Sequence, residues 1–345
     1  MSHFFDRFFK DVGIDLGTAN TLIYVKNRGL AINEPSVAAV NNKTNLVLAV
    51  GEDAKKMLGR TPSHITVVRP LVNGVISDFE MTREMLHQFL RRLSAKIAPL
   101  TSYRRGILAI PNNLTEVERK SVEDAALSAG CAKVYLIEQP MASGIGAGLP
   151  IRDPEGSMIV DIGGGTTEVA LLSLAGIVTS KSVRVGGDAF DEAISNYMKN
   201  AHGLAVGSNS AERIKIKIGS AAPLPEELKM EIGGLDLSTG LPKKVLIHSE
   251  EIRDALKDPV SHIVMAIKKT LEESPPELAA DLVERGIMMA GGSSQLKQLQ
   301  RLVEISTGLP VKLAEDPLTC VARGTGVVLE QLDLLKAILD TGKEE

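Results

Sequence analysis

Two Asp-headed glycine turns govern what this chain can fold into: Asp15-Leu-Gly-Thr-Ala-Asn20 and Asp161-Ile-Gly-Gly-Gly-Thr-Thr167. Apolar, β-type sequence flanks both. Val12-Gly-Ile14 and Thr21-Leu-Ile-Tyr-Val25 surround the first, Met158-Ile-Val160 and Glu168-Val-Ala-Leu-Leu172 the second. Each reads as a strand, a tight turn and a returning strand. Glycine lets the backbone approach a polyphosphate, and Thr or Asn adds hydrogen-bond donors. The leading Asp suits a hydrated Mg²⁺, which takes one or two carboxylates plus water and phosphate oxygens. A single turn of this kind also serves ordinary hairpins. Two in the same setting imply a duplicated fold gripping one nucleotide between its halves.

The 345 residues are enough for two domains of ordinary size. With 44% hydrophobic and 24% charged residues, a packed soluble protein is expected rather than disorder. The formal net charge of −4 argues against a nucleic-acid partner, which calls for a basic face. Cys131 and Cys320 form no CxxC and have no His at metal spacing, so they read as small buried side chains in a reducing cytosol. No apolar run reaches the ~18 residues of a membrane-crossing helix. The start lacks a secretory signal. Cytoplasm is the expected compartment.

Periodicity divides the chain into two similar runs. Residues 12–40 alternate like a strand meander, broken at Asn27-Arg-Gly29 and Asn33-Glu-Pro35. Helical spacing follows from Thr82 to Ile97, and Ile107–Ile110 reads as a buried strand. Thr115 with Glu118 forms a capping box, with Gly130 as the stop. Val134–Ile137 is a strand, and a small-residue helix runs from Met141 to Gly148. The pattern then restarts at the second glycine turn. Helices are expected from Gly186, over Ala211–Ile218, over Ser249–Lys257 and over Pro259–Glu272. A β-rich stretch at 223–249 has expected turns at Gly233-Gly234 and Gly240. Ser274-Pro-Pro-Glu277 reads as a second capping box, Gly286–Ala290 as a strand, and Asp316-Pro317 as the opening of a last helix. Two α/β domains with a ligand cleft between them fit this order.

The two turns, Gly291-Gly-Ser-Ser294 and the duplicated layout resemble the actin, sugar kinase and heat-shock-70 superfamily. Within it the chain is similar to the MreB bacterial actins. The stretches that carry the likeness include Ile14–Lys26, Asn33-Glu-Pro-Ser-Val37, Met57-Leu-Gly-Arg-Thr-Pro62, Gly74-Val-Ile-Ser-Asp-Phe79, Ile145-Gly-Ala-Gly-Leu-Pro150 and Val160–Glu168. Ala211-Glu-Arg-Ile-Lys215, Pro275-Pro-Glu-Leu-Ala279 and Asp316–Ala322 extend it, so that about residues 12–330 are covered. The resemblance implies an α/β, actin-like fold: two duplicated α/β domains around a nucleotide cleft, each with a smaller subdomain. The expected first domain takes residues 1–145 and 315–345, with its small subdomain at about 33–74. The second takes 146–314, with its small subdomain at about 181–245.

The resemblance also implies a bound ATP with Mg²⁺. Thr18, Ala19 and Asn20 would contact the phosphates from one domain, and Gly164, Gly165 and Thr166 from the other. Glu212, Arg213, Ile214 and Lys215 would border the ribose and adenine, although Glu212 and Lys215 also read as a plain surface helix face. Gly292, Ser293, Ser294 and Gln295 would close the other side. Asp15 and Asp161 would stand on the Mg²⁺ side, through water, or simply stabilise their turns. Asp161, Thr166 and Gln139 would be the catalytic group.

Gln139 departs from the family pattern. MreB proteins commonly carry Glu before this proline, whereas the chain reads Ile137-Glu-Gln-Pro140. A carboxylate can accept a proton, but an amide can only orient a water by hydrogen bonds. Phosphoryl transfer rests largely on positioning and electrostatics, so hydrolysis is expected to persist, slower or more dependent on assembly. Glu138, one residue away, would face elsewhere on a strand.

Four of the seven Phe are Phe4, Phe5, Phe8 and Phe9. On a helix they share one face, and Arg7 and Lys10 accompany them, which suits a membrane-surface helix. Docking onto the protein's own core is the alternative. Ile97, Pro99 and Leu100 with Arg104 and Arg105 suggest a second insertion loop or an ordinary one.

By resemblance, the expected function is a filament-forming ATPase at the inner face of the cytoplasmic membrane that directs cell-wall elongation and rod shape. Its implied partners are other copies of itself, the membrane surface and a wall-elongation complex such as RodZ. A nucleotide-bound scaffold without turnover and a small-molecule kinase are the rivals, the latter with Asp188 and Asp191 as loose candidate bases. A chaperone would need a peptide-binding domain after the ATPase, for which the chain has no room.

Overall fold

The computed structural model describes residues 9–97, 102–335 and 338–339. Two five-stranded sheets repeat one topology. In the first, strand Phe9–Leu16 pairs antiparallel with Asn20–Val25, which pairs antiparallel with Gly29–Pro35. On its other side lie the parallel strands Ser102–Ile110 and Cys131–Glu138. In the second, Ser157–Ile162 pairs antiparallel with Thr167–Ser173 and that with Gly176–Val183, while Ile287–Ala290 and Val311–Leu313 add in parallel. Each glycine turn therefore joins the first two strands of its sheet. Parallel strands need covered faces. Accordingly, Val12, Ile14, Val160 and Ile162 are fully buried.

Two three-stranded sheets stand apart: Leu46–Val50, Ala38–Asn41 and Ile65–Val68 in one, Leu204–Ala205, Lys229–Asp236 and Pro242–His248 in the other. Helices Gln139–Gly146 and Cys320–Glu330 pack closely on each other through small residues such as Ala142, Gly146 and Gly324. The first also packs on the second sheet, the second on the first, so this pair ties the halves together.

Local sequence rules succeed at Thr115, where both bonds of the capping box form and Gly130 ends the helix Glu116–Ala129. Elsewhere the structure corrects them. The helix expected from Thr82 begins at Phe79, because Asp78 accepts from Met81 N and Thr82 N. Ser249–Lys257 and Pro259–Glu272 are one helix, Ser249–Glu272. Pro259 is buried on the stripe of Ile252, Leu256 and Ile263, and continuous burial outweighs its one lost backbone bond. Ser274 caps nothing ahead of it; its Oγ donates back to Thr270 O at 2.6 Å. Gly233-Gly234 is no turn but the middle of strand Lys229–Asp236. A Cβ at Gly234 would stand 2.5 Å from Ala205 O, a close backbone approach that requires glycine. Asp316 is followed by a 3₁₀ turn, Pro317–Thr319, before the helix starts at Cys320.

Phe4, Phe5 and Phe8 lie outside the described residues. Phe9 does not extend a helix: it opens the first strand, opposite Ser102. Arg104 and Arg105 are not free loop cations either. A bulge beside Asp11 brings both to its buried carboxylate, Arg104 Nη2 at 3.0 Å and Arg105 Nη2 at 2.5 Å. Those two guanidinium groups hold the Asp11 carboxyl below the usual carboxylate range despite its burial. Among the described residues no helix is long and apolar enough to cross a membrane.

Candidate functional site

The two glycine turns close by the same bond. Gly17 N donates to Asn20 O at 3.1 Å, and Gly163 N to Thr166 O at 2.9 Å. They then meet face to face. A Cβ at Gly164 would lie 2.5 Å from that of Ala19, and one at Gly165 2.7 Å from Thr18 Oγ1. Only glycine permits this approach. Around the paired turns opens a cleft of about 610 Å³.

Thr18, Ala19, Asn20, Gly164, Gly165 and Thr166 line this cleft, with Asp15, Asp161 and Gln139 at its floor. Gln139 is the first residue of the helix Gln139–Gly146. Glu138 turns away, 3.8 Å from Arg119, and does not reach the cleft. Thr18 Oγ1 accepts from Gly74 N at 2.8 Å, and Asn20 Nδ2 donates to Asn33 Oδ1 at 2.9 Å, so both side chains brace the first turn.

The helix Ser208–Ile218 divides its residues by period. Ala211, Ile214 and Ile218 enter the core, whereas Glu212, Lys215 and Ile216 line the cleft. Ile214 and the exposed Arg213 are therefore not cleft residues. On the opposite wall Gly292, Ser293 and Gln295 line the cleft, but Ser294 is buried, its Oγ donating to Gly291 O at 2.6 Å. Ser293 Oγ donates to Gly163 O at 2.8 Å and ties this wall to the second turn.

Several cleft residues carried no local signal. Lys55 and Arg69 come from the first half and cross to the second: Lys55 Nζ lies 2.8 Å from Glu212 Oε2, and Arg69 Nη1 2.7 Å from Asp188 Oδ1. Gly187 N and Asp188 N donate to Gly163 O and Gly164 O, so the start of helix Gly187–His202 buttresses the second turn. Lys215 Nζ stands 2.9 Å from Asp191 and donates to Gly187 O at 3.1 Å. Asp188 and Asp191, the candidate kinase bases, are thus both held in ion pairs.

The floor is acidic. Asp15 and Asp161 are almost wholly buried, and Asp15 Oδ1 has no hydrogen-bond partner among the described residues. Burial pushes the Asp15 carboxyl up to about 8, with the Asp161 charge adding to the shift. Burial lifts Asp161 to about 6, against the Ser143 Oγ hydrogen bond that favours its ionised form. Two buried carboxylates with an orphaned oxygen call for a cation. No group of three or more His, Cys, Asp or Glu gathers as a metal cage among the described residues. A hydrated Mg²⁺ that completes its shell with phosphate oxygens fits that donor set.

The profile of the MreB/Mbl proteins matches residues 9–337. The chain belongs to the MreB/Mbl family. It is 49% identical over 338 residues to the cell shape-determining protein MreB of Escherichia coli K12, covering 97% of each chain. It is 46% identical over 328 residues to the cell shape-determining protein Mbl of Bacillus subtilis 168, covering 95% of this chain and 98% of that one. The structure of MreB5 of Spiroplasma citri bound to ADP superposes with a TM-score of 0.90 at 38% identity, over 96% and 99% of the two chains. The MamK double helical filament, at 22% identity and a TM-score of 0.79 over 93% of this chain and 99% of that one, shares the fold. The α/β architecture of this MreB/Mbl family member is actin-like.

Proposed function

We propose that this chain is a nucleotide-dependent bacterial actin: it binds ATP with Mg²⁺ between its two halves, hydrolyses it slowly, and assembles head to tail into filaments that shape the cell. The observation that carries the reading is the pair of mirrored glycine turns packed against each other over the buried Asp15 and Asp161. Relatives with about half of their residues identical are named cell shape-determining proteins, and one related structure holds ADP, another AMPPNP. The proposed domains are 1–145 with 315–345 and 146–314, in keeping with one five-stranded sheet on either side of the cleft.

In the proposed reaction Thr18, Ala19, Gly164, Gly165 and Thr166 offer backbone and hydroxyl groups to the phosphates. Glu212, Lys215 and Ile216 face the ribose and base. Asp15 and Asp161 would hold the hydrated Mg²⁺, which when bound neutralises developing phosphate charge. Gln139 orients the attacking water through its amide, and the ion pairs Lys55–Glu212 and Arg69–Asp188 hold the cleft closed.

Filaments would lie on the inner face of the cytoplasmic membrane. Phe9 pairs with Ser102, so the strands that follow residues 1–8, with three of the clustered Phe, and residues 98–101, with Pro99 and Leu100, begin side by side at one end of the sheet. The wall-elongation machinery, including a RodZ-like protein, is the partner the family implies. Deleting residues 2–8 tests the membrane arm: sedimentation with anionic liposomes is expected to fall, and unchanged sedimentation overturns that arm alone. A turnover-free scaffold remains the second reading because Gln139 stands where relatives commonly carry Glu.

A further inference from the structure

One buried acid near the cleft has no role in the reading above. Glu168 follows the second phosphate turn and is 1% exposed. It pairs with Asp161 on one neighbouring strand and with Ser182 on the other. Paired residues of antiparallel strands point to the same face. Asp161, Glu168 and Ser182 therefore form a polar row across three strands of the second sheet.

The helix Gln139–Gly146 packs on two of those three strands, the ones that carry Asp161 and Glu168. Ser143 of this helix donates to Asp161 Oδ2. Gln139 lies one helical turn earlier than Ser143, on the same side of the helix. Gln139 and Asp161 line the cleft floor, and Glu168 stands beside Asp161 in the row, buried behind that lining.

Glu168 is only half satisfied. Its Oε1 accepts from Ser182 Oγ at 2.7 Å, and the main-chain N–H of Asn112 donates to the same carboxyl. Its Oε2 is buried and has no hydrogen-bond partner among the described residues. A buried polar oxygen of this kind demands one, and a bound water is the usual answer. An amide at position 139 also offers one acceptor oxygen fewer than a carboxylate.

We propose that Glu168 is a positioning residue for hydrolysis: its Oε2 holds a water that accepts a hydrogen bond from the attacking water aligned by Gln139. The acceptor that a Glu at 139 would supply is provided here, through that water, from behind the floor. This role rests on the ATPase reading, and the experiment separates the two.

Phosphate release, nucleotide affinity and thermal melting are measured for the unaltered protein, for E168Q, and for E168Q combined with Q139E. An amide at 168 still accepts from Ser182 and Asn112 through its oxygen, but its NH₂ cannot accept from a water. E168Q is expected to lower kcat about 10- to 100-fold, the scale of lost positioning, with nucleotide affinity within twofold. Q139E is expected to restore at least about tenfold of that loss. A kcat for E168Q within twofold of the unaltered protein overturns the proposal, as does a double variant no faster than E168Q. Failure of E168Q to fold or to bind nucleotide also overturns it, marking Glu168 as structural. No phosphate release from the unaltered protein overturns the ATPase reading itself, and this role with it.

Discussion

Lys55 Nζ lies 2.8 Å from Glu212 Oε2, joining the first half of the molecule to the second across the cleft. Their side chains are 31% and 36% exposed, so solvent screens the pair and it contributes at most about 1 kcal/mol. K55E is therefore expected to speed the release of a fluorescent nucleotide by up to about fivefold. K55E with E212K should return it towards the original rate. The difference should shrink in high salt. Equal release rates in all three proteins would show that the pair does not hold the cleft.

The two turns touch so closely that a single added methyl group at Gly164 is expected to weaken nucleotide binding. G164A places a Cβ 2.5 Å from that of Ala19 and must push the turns apart. Nucleotide affinity is expected to fall about tenfold or more. Overpacking at one turn costs about 1–3 kcal/mol, so a cooperative melt should remain. Titration of labelled nucleotide alongside a melting curve checks both halves of the prediction.

What was legible in the sequence, and what was not, follows from the reach of each interaction. The glycine turns and the Thr115–Glu118 box are local, and their bonds span three residues. The cleft lining by Glu212 and Lys215 was legible from the resemblance. Helical period could have excluded Ile214, which sits with Ala211 and Ile218 on the core side. Lys55 and Arg69 carried no signal, because their partners lie more than a hundred residues away in the chain. Pro259 and Gly234 misled for one reason: tertiary packing overrode what each residue does in isolation. Asp188 and Asp191 looked like available bases until the fold supplied Arg69 and Lys215.

The acidic floor predicts a pH dependence with a definite sign. Asp15 is raised to about 8 and Asp161 to about 6 by burial, so the folded protein without cation holds protons that the unfolded chain releases near pH 4. The stabilisation from these raised carboxyl pKa values is complete below about pH 4 and is lost as pH rises through about 6 and then about 8. Metal-free protein should therefore melt at a lower temperature at pH 8 than at pH 6. D15N should flatten that slope. Mg²⁺ with nucleotide should bind with proton release and tighten as pH rises over the same window, which calorimetry in two buffers of different ionisation enthalpy detects. A melting temperature that climbs from pH 6 to 8 in the absence of metal would contradict this account of the floor.

In the proposed reaction Gln139 orients the attacking water. It lines the cleft while Glu138 faces Arg119, so no neighbouring carboxylate on the strand replaces it. Q139A is expected to lower phosphate release about 100-fold, the scale of a misplaced reactant, and Q139E to raise it above the unaltered rate. Single-turnover phosphate release distinguishes these from effects on nucleotide affinity. An unchanged rate in Q139E would remove the argument from the amide.

The most direct test of the whole account is phosphate release measured together with pelleting, in ATP and Mg²⁺, with and without anionic liposomes. The account predicts slow phosphate release and pelleting that increases with the liposomes, as a membrane-bound filament ATPase requires. Pelleting without phosphate release would contradict hydrolysis and leave a nucleotide-bound scaffold, and the absence of both signals would contradict the account as a whole.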